Sequence, residues 1–250
     1  MNRRIIGVTG TLAAVAAMLL VPAAAVPQCL GDSNGDNVVT VAEVVAVVDR
    51  ALMTRCEDDN ICAASVKLLA TGETTSYGPG SDGDVRAGAP LAYQDNGDGT
   101  ITDLNTGLMW EKKDDAGGIH DKDNKYTWGI TTAPYSMTGT VMTEFLAALN
   151  TPPGFAGHTD WRIPNMRELA SIINYESGDT YFAVDPALNT ACTAGCSAAS
   201  CSCTLYDHYW SSTTTQSNPT LAWTLDFRSG FTGNFNKSFS RYVRAVRGGL

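Results

Sequence analysis

The chain has 250 residues, a formal net charge of −9 at pH 7 and 44% hydrophobic residue types, which suits one small module and one ordinary globular domain. Such an acidic chain repels the phosphates of nucleic acids, so we expect no nucleic-acid partner.

The first 25 residues have the three parts of a secretory signal peptide. Two arginines give a positive start, residues 5–21 are mostly apolar and small, and residues 23–25 fit a small-residue cleavage site. Glycine and threonine interrupt the apolar run, so a removable signal is favoured over a membrane anchor. A lipoprotein attached at Cys29 is the alternative. We therefore expect a secreted or envelope protein (periplasm or cell surface) without a transmembrane segment after cleavage.

Residues 32–43 have the spacing of a twelve-residue EF-hand calcium loop. Calcium prefers six to eight oxygen ligands, and such a loop supplies them from positions 1, 3, 5, 7, 9 and 12. The ligands predicted here are Asp32, Asn34, Asp36, the carbonyl of Val38, Thr40 and a bidentate Glu43. Asn37 replaces the usual glycine at position 6, but asparagine tolerates a left-handed backbone. We predict one bound calcium ion; a metal-free turn rich in aspartate and asparagine is the alternative.

A helix is predicted directly after this loop, since its apolar residues repeat at i, i+3, i+4, i+7 and i+11 from Val41. The loop and helix resemble one half of a dockerin, a calcium module that often occurs as a duplicated pair. Only one copy is found. A complete dockerin binds a cohesin through its paired helices, so that partnership remains open here. A disulfide between Cys29 and Cys56 would close this small module, residues 26–56.

Residues 57–92 are predicted to be an irregular linker because glycine is frequent and large apolar residues are few. The second domain, residues 93–250, begins with the turn sequence of residues 95–99. Residues 100–103 then alternate like a strand, which predicts a β-hairpin. Another strand is predicted at residues 108–110.

Two predicted helices follow these strands. The first, over residues 140–149, carries its apolar side chains on one face. The second begins at Asn165, where Glu168 three residues later completes a capping box. Aromatic and β-branched segments near the end of the chain predict further strands at 209–210, 221–227 and 242–246. The sequence therefore predicts an α+β domain of short antiparallel strands with two helices.

Seven cysteines in an exported chain are expected to be mostly paired. Cys29, Cys56 and Cys62 lie near the mature N-terminus. The other four lie in a small-residue segment that needs cross-links to hold a shape: Cys192, Cys196, Cys201 and Cys203. We predict disulfides in this segment, with a four-thiolate zinc site as the alternative. The pairing cannot be derived from the sequence, and an odd total leaves one thiol over.

Four sequence blocks of the second domain resemble the Lcl C-terminal domain family, the C-terminal domain of a bacterial collagen-like adhesin. In chain order they are residues 95–100 with 106–111, 160–165 with 167–169, 209–214 and 242–249. The resemblance covers about residues 93–249. It implies a C-type-lectin-like fold and, as in the adhesin member, binding of sulfated polysaccharide. The collagen-like stalk of that adhesin is absent here.

The Trp-Arg-Ile-Pro block is also similar to the formylglycine-generating-enzyme-like branch of C-type lectin folds. That chemistry needs a reactive cysteine pair in the late strands, and no cysteine follows Cys203. We therefore expect a recognition protein and no enzymatic activity.

A ligand site is expected in the last 47 residues, where only Asp207 and Asp226 oppose five basic residues. Residues 230–236 are interpreted as an exposed aromatic and polar loop beside these charges. The proposed contacts, which suit sulfate groups and sugar rings, are Arg228, Phe231, Asn234, Lys237 and Arg241. Most of the five tryptophans are expected in the core. The expected function is adhesion to an extracellular glycan; the alternative is a protein partner in an envelope or cohesin–dockerin-type assembly.

Overall fold

A computed structural model describes residues 68–176 and 183–248. Within this part of the chain, no helix is long and apolar enough to cross a lipid bilayer. The predicted signal peptide, calcium loop and N-terminal helix lie outside the described residues, as do Cys29, Cys56 and Cys62.

Nine short strands make up most of the regular structure. They are β1 (Tyr93–Asp95), β2 (Thr100–Asp103), β3 (Met109–Glu111), β4 (Tyr126–Thr127), β5 (His208–Thr214), β6 (Leu221–Asp226), β7 (Phe231–Asn236), β8 (Ser240–Arg241) and β9 (Val246–Arg247). All strand pairs are antiparallel, in three sheets ordered β1-β2-β3-β9, β4-β8 and β5-β6-β7. The first sheet joins the predicted hairpin to the end of the domain, because β3 pairs with β9.

The helices are few and short. They are α1 (Asp82–Val85), a π-helix (Val141–Leu146) that continues into α2 (Ala147–Asn150), α3 (Met166–Ala170) and a 3-10 turn (Pro186–Leu188). The predicted helix over residues 140–149 is confirmed in position, although its first part has π-helical geometry. Its apolar residues Val141, Phe145 and Leu149 are all buried. The α+β prediction is therefore confirmed in this coarse form.

The predicted capping box of α3 is present in full. The Asn165 side chain accepts hydrogen bonds from the amides of Arg167 and Glu168, and the Glu168 carboxylate accepts one from the amide of Asn165. Glu168 also forms a bidentate ion pair with Arg162, whose Nη2 donates to the carbonyl of Gly248. The start of α3 and the end of the described chain are thus held by one group of contacts.

Strand β5 is buried on both faces at Tyr209 and Trp210, since adjacent residues of a strand point to opposite sides. Tyr209 belongs to one apolar cluster together with Trp110, Leu169 and Phe227. Its neighbour Trp210 belongs to a second cluster, which contains Trp128, Phe145, Trp161 and Val243. Four of the five tryptophans are buried, as expected, and Trp223 is half-buried.

The described part of the predicted linker is irregular apart from α1. Within it, Leu69 forms a β-bridge with Ala89. The linker is also hydrogen-bonded to the domain. The Glu176 carboxylate accepts hydrogen bonds from the amides of Thr74 and Thr75 and from the Thr75 hydroxyl. These bonds, led by the hydroxyl of Thr75, lower the pKa of Glu176 to about 2.

Residues 230–236 differ from the prediction. The sequence was interpreted as an exposed loop, but Phe231–Asn236 is strand β7, paired in continuous register with β6. In the order of the described strands, β7 lies at the edge of its sheet. The segment is still exposed at Phe231, Thr232 and Asn234, because an edge strand has a neighbour on one side alone.

Candidate functional site

An exposed surface of arginine and phenylalanine side chains surrounds β7. It comprises Arg228, Phe231, Phe235, Phe239 and Arg241, and we call it the arginine–phenylalanine surface. Phe231 is 69% exposed and Phe239 is 52% exposed, which is unusual for side chains of this size. Four of the five predicted ligand contacts lie on or beside this surface: Arg228, Phe231, Asn234 and Arg241.

Arg241 is held between two aromatic rings. Its guanidinium carbon lies 4.0 Å from the centroid of the Phe235 ring and 5.9 Å from that of Phe239. Stacking on the first ring fixes the guanidinium plane by cation–π attraction. Among the described residues, no carboxylate lies within ion-pair distance of Arg241. Its cation is therefore positioned but not neutralised.

The hydrogen-bond donors of Arg241 are also largely unused. Nη1 donates a long bond of 3.4 Å to the carbonyl of the preceding Ser240. Nε is buried and has no acceptor within the described part of the chain. Because a guanidinium donates in a fixed fork that matches carboxylate, phosphate and similar oxyanions, this geometry suits an anionic group of a ligand.

A second arginine and phenylalanine lie at the other end of β7. Arg228 is exposed in the turn between β6 and β7, and its amide donates to Oδ1 of Asp226. The side chain of Arg228 has no ion-pair partner among the residues described. Phe231 follows three residues later as the first residue of β7. The surface thus has one arginine without an ion pair near each end of the strand: Arg241 against the Phe235 ring, and Arg228 in the turn that precedes Phe231.

His208 lies within the electrostatic reach of both arginines. Its ring packs edge-on against Phe235 with 4.7 Å between centroids, and its Nδ1 lies 3.3 Å from the Thr224 hydroxyl. Burial lowers the pKa of His208; Asp226 and Asp207 oppose this shift, and Arg241 and Arg228 add to it. The sequence does not indicate His208 or Phe239 as ligand contacts. The one signal is the position of Phe239 between Lys237 and Arg241 in the sequence.

Lys237 was predicted to contact the ligand, but it is not part of an exposed site. Its side chain is fully buried, with Nζ 3.9 Å from the centroid of the Trp128 ring. The ammonium donates to the carbonyl of Tyr135 at 2.8 Å and to the Thr214 hydroxyl at 2.9 Å. Burial lowers the pKa of Lys237. These contacts connect the loop that contains Tyr135 to strand β5, so Lys237 has a structural role.

A second group of charges is buried between β3 and the end of the chain. One carboxylate oxygen of Glu111 lies 3.0 Å from Nζ of Lys113 and 2.8 Å from Nδ1 of His120, and the other accepts the amide of Ala245. Burial tends to raise the pKa of Glu111, but Lys113, His120 and the amide lower it overall. Both oxygens are occupied, so this cluster is organised as a structural network and has no free acceptor.

Arg244 extends the same network. It is fully buried, and its guanidinium donates to the carbonyls of Glu111 and Cys203 and to the Thr204 hydroxyl. Burial lowers the pKa of Arg244. Arg247 forms an ion pair with Asp160. Of the late basic residues, Arg228 and Arg241 are therefore the two for which the described structure has neither an ion pair nor a side-chain hydrogen bond of ordinary length.

The four late cysteines form two nested disulfides, which confirms the predicted disulfides and gives the pairing that the sequence left open. Cys192 is bonded to Cys203, and Cys196 to Cys201. The loop they close is fastened to the domain, because the amide of Cys203 donates to the carbonyl of Lys113. Sulfur atoms of different disulfides lie 3.7 and 3.9 Å apart, so the four cysteines form one cluster.

The residues predicted to bind calcium lie outside the described residues: Asp32, Asn34, Asp36, Val38, Thr40 and Glu43. Asp115, Asp121 and Asp123 bring carboxylate oxygens within 4.8 Å of one another. However, Lys122 forms ion pairs with two of these carboxylates, and Asp121 accepts the amides of Gly117 and Asp123. Lys122 thus neutralises part of their charge, and both carboxylate oxygens of Asp121 already accept amide hydrogen bonds.

An open groove of about 670 Å³ lies beside the α3 capping box. Its wall is mainly apolar and includes Met137, Met142, Leu146 and Ile163, while the Arg162–Glu168 ion pair lies at its side. Met142 is 40% exposed. A groove of this kind suits an apolar side chain of a protein partner better than a sulfated sugar.

Comparison with known proteins gives one result on family membership. The family model described as the Lcl C-terminal domain matches residues 99–247. Of the sequence blocks on which the resemblance rests, only residues 95–98 and 248–249 lie outside the match. No curated protein matches the chain.

Proposed function

This chain belongs to the Lcl C-terminal domain family, and from that premise we propose that it is a secreted, calcium-binding recognition protein for an anionic extracellular polysaccharide. The fold that we propose for its domain is C-type-lectin-like. The ligand that we favour carries sulfate groups and is bound at the arginine–phenylalanine surface. A protein of this kind acts in adhesion outside the cytoplasm.

The observation that carries this proposal is the state of Arg241. Its guanidinium is stacked on Phe235, no described carboxylate pairs with it, and its buried Nε has no described acceptor. A guanidinium that has no ion pair, and whose bond from Nη1 is as long as 3.4 Å, can donate charge-assisted hydrogen bonds to an incoming oxyanion. The exposed rings of Phe231 and Phe239 supply apolar faces for sugar rings.

Heparin affinity tests the proposal directly. We expect the mature protein to be retained on immobilised heparin at low salt and released as salt rises, since exposed charges are screened beyond about 8 Å at physiological ionic strength. Arg241→Gln should weaken the affinity by about tenfold, the effect of one charge-assisted hydrogen bond. Arg167→Gln is the matched control, because Arg167 is an exposed arginine on α3, outside this surface.

Two outcomes would contradict the glycan proposal. The first is an absence of retention at low salt by wild-type protein whose circular dichroism shows a folded domain. The second is equal weakening by Arg241→Gln and Arg167→Gln, which would indicate attraction by overall charge and not by a site.

The calcium proposal rests on the register of oxygen ligands in residues 32–43. Isothermal titration of the mature chain should detect one calcium ion. Glu43→Ala removes the bidentate ligand and should abolish the signal, whereas Glu57→Ala, outside the loop, should leave it unchanged. Absence of calcium heat at millimolar concentrations in the wild type would refute the proposal.

A non-catalytic role is supported by the chemistry of the late cysteines. The formylglycine-generating branch needs a reactive cysteine pair in the late strands, and no cysteine follows Cys203. The four cysteines that the structure describes are all paired in disulfides. Glu111 and His120 are residue types that can act as an acid and a base. However, both carboxylate oxygens of Glu111 already have partners within the protein.

The alternative is a protein-binding module of an envelope or cohesin–dockerin-type assembly. The apolar groove beside α3 favours it. A glycan array, with and without calcium, separates the two functions, because a protein-binding module should leave every glycan unbound. In that case Met142→Glu, which places a charge in the groove, should weaken capture of the protein partner.

A further inference from the structure

We infer that the ligand is a linear oligosaccharide, longer than one disaccharide, that lies along β7 and is held by Arg241 at one end and Arg228 at the other. This inference rests on the proposed function, to which it adds the length of the ligand and its direction on the protein.

The spacing of the two ends sets the length. Phe231 and Phe235 are four residues apart on β7, which corresponds to about 13 Å at 3.3 Å per residue. Side chains two and four residues apart on a strand share a face, so both rings are on the same side of the sheet. Arg241 stacks on Phe235, and Arg228 lies in the turn before Phe231. The two rings thus mark a stretch of about 13 Å along β7, which is longer than one sugar ring.

The space between the two rings is open because Gly233 lies midway. It shares the face of Phe231 and Phe235, and a Cβ atom built on it would meet its nearest atoms, on His208, Thr224 and Phe235, at 3.6–3.7 Å. Those are ordinary contact distances, so a side chain would fit without strain. Its absence leaves a shallow floor between two phenylalanines, suited to a flat sugar ring.

The charges favour anionic groups at the ends of this floor. Arg241 and Arg228 both lower the pKa of His208, whereas Asp226 and Asp207 act in the opposite direction. His208 itself lies on the floor, against Phe235. Asp226 pairs with Phe231 in the strand register, so it lies at the Arg228 end of the floor, and the anionic group of the ligand at that end must extend past it to Arg228. A chain with anionic substituents beyond both edges of the floor gains from each arginine, which a single small anion does not.

Size-defined heparin oligosaccharides test the inference. For the wild-type mature chain we expect affinity to rise by about fivefold or more between the disaccharide and the hexasaccharide, the effect of one additional exposed ion pair. Arg228→Gln should remove this rise and leave disaccharide affinity unchanged, because the short ligand is held at Arg241. Arg241→Gln should weaken every length. Arg167→Gln should leave the whole profile unchanged.

A variant at the floor gives a second, independent measurement. Gly233→Leu adds a side chain between the two rings and should lower hexasaccharide affinity by about tenfold or more, while Thr232→Leu, at an exposed position on the opposite face of β7, should not. Thermal unfolding of both variants checks that the domain is folded.

The outcomes separate this inference from the proposed function. Heparin binding that depends on Arg241 but has the same affinity for disaccharide and hexasaccharide overturns the inference and leaves the proposed function standing. Equal losses in Arg228→Gln at all lengths also overturn it. An absence of binding at every length overturns both.

Discussion

The charges buried behind β3 and the charges around β7 have opposite organisation in one small domain. Three charged residues behind β3 are buried, namely Glu111, Lys113 and Arg244, and each has partners at hydrogen-bond distance. Arg228 and Arg241 lie at the surface and have no described carboxylate partner. The difference indicates that the role of a charged residue, structural or ligand-binding, is best assigned from its partners and not from its type. Arginine is found in both places here.

The strongest test of the buried side is Glu111→Ala. Removing the carboxylate leaves Lys113 as an uncompensated buried charge, so we expect a loss of about 3–5 kcal/mol in the free energy of unfolding, measured with urea. Glu144→Ala is the control, since Glu144 is exposed and should change stability by less than about 0.5 kcal/mol. Equal effects of the two variants would contradict the distinction.

Acidification tests the same carboxylate without a mutation. The pKa of Glu111 is lowered below its ordinary 4.5 in the folded protein. Its contribution to stability is therefore present above pH 4.5 and is lost as the pH falls through the folded-state pKa. Urea unfolding between pH 5 and 3 should show this decline, and Glu111→Gln should make it shallower.

The nested disulfides belong to the buried side, because the carbonyl of Cys203 accepts a hydrogen bond from Arg244. Cys192→Ser with Cys203→Ser opens a loop with a sequence separation of 11 and should cost about 3 kcal/mol. Cys196→Ser with Cys201→Ser, with a separation of 5, should cost about 2 kcal/mol. In exported protein, none of the four should react with an alkylating agent before reduction. Stoichiometric zinc with four reactive thiols would instead support the metal site.

Lys237 is the boundary case, a buried cation bonded to neutral groups. Lys237→Ala should cost about 2 kcal/mol, since it leaves the Tyr135 carbonyl and the Thr214 hydroxyl without their donor. Lys125→Ala, at an exposed lysine, is the control. Because burial lowers the pKa of Lys237, the cost of its charge should disappear as pH rises through the folded-state pKa towards 10.5. A Lys237→Ala variant as stable as the wild type would move Lys237 back among the candidates for the ligand site.

The smallest effect on stability is expected at the exposed side. Arg241→Gln should change the free energy of unfolding by less than about 0.5 kcal/mol, although it lowers heparin affinity. A large loss of stability would show that Arg241 belongs to the scaffold. His208 gives a finer measurement by NMR: its titration midpoint should lie below 6.5 in the free protein and rise when a heparin hexasaccharide binds.

The features that the sequence predicted correctly depend on neighbouring residues. The hairpin of β1 and β2 follows from the turn sequence of residues 95–99, and the start of α3 follows from Asn165 and Glu168. The family resemblance likewise rests on short local blocks. In each case the residues that determine the structure lie within a few positions of one another, so the pattern alone contains the information.

The features that were missed depend on distant contacts. β7 contains Gly233, Asn234 and Asn236, which have low strand propensity, and it is a strand because β6 pairs with it. The burial of Lys237 depends on Trp128 and Tyr135, about 100 positions earlier in the chain. No local pattern around Lys237 distinguishes it from Arg241, which explains why both were assigned to the site.

The open edge of β7 has a consequence for the behaviour of the protein in concentrated solution. A strand edge that no described strand pairs is a template for pairing with a second molecule, and the exposed Phe231 increases that tendency. Charged side chains at both ends oppose edge-to-edge association, and a polyanion that occupies the strand would at the same time mask their charge and cover the edge. Colloidal stability and ligand occupancy should therefore be coupled, and storage with a short sulfated oligosaccharide should slow aggregation.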